Sequence, residues 1–107
     1  MRFAARRDEN DKLLTEAMRK AGFTVHDLGL AGHGVPDKLV TKTLPNGKPW
    51  AAFVEIKTPK GKLREGQHLF QETFEPHRMY YLAREPEPTI RWLFEAYTAA
   101  IRPEELG

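Results

Sequence analysis

Two runs of strand-forming residues flank the segment Leu44-Pro45-Asn46-Gly47-Lys48, and the turn between them decides which side chains face one another. Residues 37–44 alternate moderately in polarity, and residues 50–57 are rich in apolar and β-favouring side chains. A slip of one residue in a hairpin sends every side chain to the other face of the sheet. A two-residue Asn46-Gly47 loop would set Asp37 across from Ile56, with Asp37 and Glu55 on opposite faces. A three-residue Pro45-Asn46-Gly47 loop is a type I turn followed by a left-handed Gly47, and it sets Asp37 across from Glu55. Proline at the first central position and glycine at the third suit the longer loop. The expected register gathers Asp37, Glu55 and Lys57 on one face, at the end of the hairpin away from the turn. Val40, Val54 and Ile56 then point toward the core.

The rest of the chain reads around this hairpin. Leu13, Leu14, Ala17, Met18 and Ala21 form one apolar stripe and predict a helix over 8–21, with Asp8 as N-cap, Asp11 at N3 and Gly22 as the stop. Phe23–Val25 reads as a short strand entering the glycine-rich loop Leu30–Pro36. Residues 64–75 read as a second helix stopped by Pro76, and Met79–Ala83 as a buried strand. After Pro86 and Pro88, Ile90, Leu93, Phe94, Tyr97 and Ile101 fall at helical spacing. The expected fold is α/β, in the order α-β-β-β-α-β-α, with a mixed sheet flanked by helices. With 107 residues and no linker or repeat, residues 1–107 read as a single domain.

Charge bounds the partners. The net charge is only +2, so placement matters more than the total. Lys57, Lys60, Lys62 and Arg64 follow one another with no acid between them, and Arg2, Arg6 and Arg7 form a second cluster. Such a patch is either a solvated loop or a track for a phosphate backbone. There is no cysteine, so disulfides and thiolate metal sites are excluded. No apolar run approaches the ~18 residues of a membrane span, and charges interrupt the amino terminus where a secretory leader needs an apolar core. The expectation is a cytoplasmic protein with no membrane partner.

Two directly opposed carboxylates repel unless a cation lies between them. Asp37 and Glu55 therefore read as ligands of a divalent metal. Mg²⁺ favours hard oxygen donors and is held by one or two carboxylates plus waters and substrate phosphate, and the Ile56 carbonyl offers a further oxygen. Lys57, two residues beyond Glu55, would orient or deprotonate an attacking water and neutralise developing phosphate charge. The bland alternative is a solvated hairpin with a Glu55–Lys57 neighbour pair and an unrelated Asp37.

Pro36-Asp37 followed by Glu55-Ile56-Lys57 resembles the PD-(D/E)XK nuclease superfamily. Gly32-His-Gly-Val-Pro-Asp37, Phe53-Val-Glu-Ile-Lys57 and Leu63-Arg-Glu-Gly-Gln67 narrow the resemblance to the VRR-NUC (virus-type replication-repair nuclease) family, over roughly residues 8–83. The resemblance implies a restriction-endonuclease-like core and a Mg²⁺- or Mn²⁺-dependent DNA endonuclease. It also implies a homodimer in a bacterial or phage-like setting, with activity on branched, flap or Holliday-junction DNA in some members. Carried over, Asp37 and Glu55 are metal ligands, Lys57 is the catalytic lysine, and Gln67 is the helix glutamine bordering the site. The first helix usually adds an acid. Asp11 is the choice, since it lies at the edge of the apolar stripe, although a capping role is equally open to it. Lys38 stands where the family usually has leucine, so the edge of the site is expected to be basic. Lys38, Lys60, Lys62, Arg64 and His33 are the candidate DNA contacts, and the short loop 58–62 leaves further contacts to a second subunit. A non-catalytic nucleic-acid-binding module on the same fold is the alternative function. His26, His33, His68 and His77 match no zinc spacing. An exposed patch of Tyr80, Trp92 and Tyr97 would mark a dimer seam.

Overall fold

The computed structural model describes the backbone of residues 2–102 and the side chains of residues 9–102. The side chains of Arg2, Arg6, Arg7 and Asp8 lie outside the described residues. The elements run α1 (Arg2–Lys20), β1 (Thr24–Asp27), β2 (Lys38–Thr43), β3 (Pro49–Ile56), α2 (Glu65–Phe74), β4 (Tyr80–Ala83) and α3 (Pro86–Ala99). A 3-10 turn over Glu75–His77 lies between α2 and β4. The strands form one mixed sheet in the order β1-β2-β3-β4. β1, β2 and β3 are antiparallel neighbours, and β4 returns through α2 to join β3 in parallel. This is the α/β order read from the sequence.

The hairpin has the three-residue loop. Leu44 N–H donates to the Lys48 carbonyl (2.8 Å), Gly47 N–H donates to the Leu44 carbonyl (2.9 Å), and Gly47 has φ +85°. Asn46 Oδ1 accepts the Lys48 N–H at 2.9 Å, so the turn holds itself from within. Register follows, from Thr43 opposite Pro49 to Lys38 opposite Val54. Val40, Ala52, Val54 and Ile56 are fully buried on one face, against Leu14 and Met18 of α1 and Leu93 and Ala96 of α3. Each of the Val, Ile, Leu and Met side chains contributes about 1.5–3 kcal/mol by leaving water. The other face receives α2, whose Phe70 and Phe74 meet Phe53 with ring centroids 5.6 and 5.0 Å away.

Several boundaries differ from the sequence reading. α1 starts at Arg2, so Asp8 lies inside the helix and is not its N-cap, and Asp11 is not at N3. Gly22 does end it. Phe23 N–H reaches the Met18 carbonyl, Gly22 N–H reaches that of Arg19, and Gly22 has φ +100°, the left-handed C-terminal motif. Leu13 is 52% exposed, at the margin of its stripe. Pro86 and Pro88 sit in the first turn of α3, where a missing N–H costs nothing. Tyr80 is buried, Trp92 stacks on Tyr81, and Tyr97 meets Trp50 edge-on, so the aromatic seam patch does not form. Among the described residues no helix is long and apolar enough to cross a membrane.

Candidate active site

Pro36 ends the β2–β3 ladder. Hydrogen-bonded pairs alternate along an antiparallel hairpin, and counting by twos from Leu44–Lys48 through Lys38–Val54 brings the first such pair past the ladder to Pro36 and Ile56. Proline has no N–H to give. At this point the Ile56 N–H turns to the side chain of the next residue and donates to Asp37 Oδ2 at 2.8 Å. The Asp37 carbonyl meanwhile accepts the Leu28 N–H at 2.7 Å, extending the β1–β2 pairing by one residue. Main chain therefore grips Asp37 from both neighbouring strands.

The register that sets Lys38 opposite Val54 carries Asp37 to the position opposite Glu55. Asp37 is 6% exposed and Glu55 1%, so both carboxylates are largely removed from water. Cβ atoms of directly opposed residues stand ~5 Å apart, where two unit charges repel by about 3 kcal/mol at an effective dielectric of ~20. A divalent cation relieves that repulsion. The donor chemistry fits Mg²⁺ or Mn²⁺, since the site offers two carboxylates and the Ile56 carbonyl, which receives no ladder bond from Pro36. Among the described residues no group of three or more His, Cys, Asp or Glu gathers to enclose a metal. A cation here would keep several of its waters, as Mg²⁺ prefers.

A cleft of about 690 Å³ opens on this face, lined by Asp37, Lys57, Gln67, Arg64, His33 and the glycine loop. Lys57 N–H donates to the Ala83 carbonyl (3.0 Å), and Asn10 Nδ2 donates to the Lys57 carbonyl (2.7 Å), so the lysine's main chain is tied to β4 and α1. Gln67 Oε1 accepts the Arg64 N–H at 2.7 Å and caps α2, which leaves its Nε2 donors for the cleft. His33 sits at φ +55° on the glycine loop. That loop meets α2 backbone to backbone. A Cβ on Gly34, at φ +80°, would collide with the Gly66 carbonyl.

Two assigned residues lie elsewhere. Alternation puts the Lys38 side chain on the core face with Val40, away from the Asp37 cleft. It is 5% exposed there, with Nζ 3.0 Å from Asp11 Oδ1 and 3.4 Å from Asp27 Oδ1. Lys38 is therefore an interior cation rather than a DNA contact. Asp11 is its partner, further held by the Thr15 hydroxyl at 3.2 Å, rather than a metal ligand. Lys60 faces a separate hollow of about 680 Å³ with Asn10 and Leu13, and Lys62 is exposed outside both.

Three contributors escaped the sequence reading. Arg84 Nη1 donates to the carbonyls of Thr58 (2.8 Å), Pro59 (3.3 Å) and Gly61 (2.5 Å), fixing the basic loop after β3. Asn10 also donates to the Arg84 carbonyl at 3.2 Å, which closes the set. Tyr80 is buried beside the carboxylates. Burial, then the charges of Glu55, Glu75 and Asp37, push its phenol well above the usual tyrosine range. An arginine just past a strand end was the available signal for Arg84; Asn10 and Tyr80 gave none. Comparison with family models, curated proteins and solved structures returned no match.

Proposed function

We propose that this chain is a Mg²⁺- or Mn²⁺-dependent DNA endonuclease of the VRR-NUC type on a restriction-endonuclease-like core. One observation carries the reading: Asp37, locked by the Ile56 N–H, is brought opposite Glu55, and it shares a cleft with Lys57. Asp37, Glu55 and the Ile56 carbonyl would hold the metal, which when bound supplies Lewis acidity and a more acidic water. Lys57 donates to a phosphate oxygen and offsets the charge that grows there in the transition state. Gln67 Nε2 orients the same phosphate. Arg64 and His33 at the cleft mouth, with Lys62 and Lys60 outside it, contact neighbouring phosphates and set register rather than sequence. A second copy of the chain would extend this track beyond the short 58–62 loop.

The test is incubation of linear, flap and four-way-junction DNA with Mg²⁺ or Mn²⁺, beside Asp37→Asn and Lys57→Ala. Asparagine keeps an acceptor for the Ile56 N–H and removes only the charge. Each variant should lose about 10²–10³-fold in cleavage, the scale of losing one transition-state contact. Cleavage that survives both substitutions overturns the assignment. DNA binding without cleavage by the unmodified chain favours the non-catalytic module.

A further inference from the structure

Tyr80 has no task in that scheme. It stands opposite Phe53 in the parallel β3–β4 register, and Leu82 stands opposite Glu55. By alternation Tyr80 and Glu55 share the cleft-side face as diagonal neighbours, a separation that an aromatic side chain spans. The residue is 1% exposed, and among the described residues its hydroxyl has no hydrogen-bond partner. A buried tyrosine hydroxyl usually finds an acceptor. The charges that act on this one belong to Glu55, Glu75 and Asp37, all of them acceptors. The phenol stays protonated, so it is a neutral donor buried beside two carboxylates and making no bond.

We propose that Tyr80 is a positioning residue for Glu55, its hydroxyl being the donor that fixes the carboxylate when the site holds a divalent cation. The inference rests on the metal-dependent reading above. A ligating carboxylate presents one oxygen to the metal and leaves the other to be fixed by an outer donor, and such donors set affinity by orienting the ligand. In the metal-free protein the hydroxyl is idle, so its removal should not weaken the fold. In the loaded protein it should matter.

Tyr80→Phe keeps the ring and removes the donor. Thermal melting of the metal-free full chain and its Mn²⁺ affinity by titration calorimetry are measured for both proteins. The expected result is an unchanged or higher melting temperature together with Mn²⁺ binding weaker by roughly 10–100-fold. A purely structural hydroxyl would lower the metal-free melting temperature, and that result overturns the proposal. Unchanged Mn²⁺ affinity in Tyr80→Phe, with the unmodified chain binding the metal, also overturns it and leaves the nuclease reading standing. If the unmodified chain binds no Mn²⁺, both fall together.

Discussion

Replacing Lys38 by leucine removes the cation from a pocket on the core face of the sheet. The Lys38 ammonium lies 3.0 Å from Asp11 and 3.4 Å from Asp27, and side-chain exposures of 5%, 25% and 71% show which partner suffers. Asp27 stays hydrated. Asp11 loses its counter-charge while three-quarters buried, and it keeps the Thr15 hydroxyl. Breaking a fully buried pair costs about 3–5 kcal/mol; with water still reaching both acids the loss should be about 2 kcal/mol. At ~4–8 °C per kcal/mol for a chain of this size, melting followed by far-UV circular dichroism should fall by about 10 °C. The double change Lys38→Leu with Asp11→Leu should recover most of that, since apolar replacement of a whole buried pair is neutral or better. DNA affinity should not change. The reasoning is refuted if Lys38→Leu melts within about 1 °C of the unmodified protein. It is refuted equally if the salt dependence of DNA binding drops by about one unit, which would put the ammonium on a phosphate.

Gly34 and Gly66 should respond in opposite directions. Gly34→Ala meets both a left-handed backbone and the Gly66 carbonyl, and should lower the urea-unfolding free energy by about 2 kcal/mol or more. Gly66→Ala puts its Cβ 3.8 Å from Gly34 Cα, an ordinary contact, and should be neutral or add ~0.5–1 kcal/mol through helix propensity. Alkaline stability should carry the mark of Tyr80. The folded state holds this phenol proton more tightly than the unfolded chain does. Stability is therefore intact below the unfolded pKa near ~10 and falls above it, by up to about 1.4 kcal/mol per pH unit. Urea midpoints measured across that range should fall less steeply for Tyr80→Phe.

How far the sequence could be read depended on the range of the forces involved. Pro45, Asn46 and Gly47 act within a few residues, so turn chemistry delivered the hairpin register and with it the juxtaposition of Asp37 and Glu55. Gly22 announced the end of α1 for the same reason. Nothing comparable marks its beginning, and an N-cap was read into Asp8 where the helix simply continues. The place of Lys38 was legible in the same register. The register that puts Asp37 on the cleft face puts the next residue on the other, so alternation already excluded Lys38 from DNA. Asp11 goes with it, since its partner is Lys38 itself on that buried face. Arg84 and Asn10 act on carbonyls 23 to 74 residues away along the chain, and no local pattern encodes such reach.

Those two residues have a consequence for how the molecule could change over time. Arg84 and Asn10 take hold of oxygens on the main chain, at 57–59, 61 and 84, and of no side chain in the loop. The course of the loop after β3 is thus specified independently of what its residues carry outward. Lys60 and Lys62 are exposed passengers on a fixed track. They could be exchanged for other charges or aromatics, retuning what the protein grips, without any renegotiation of the fold beneath.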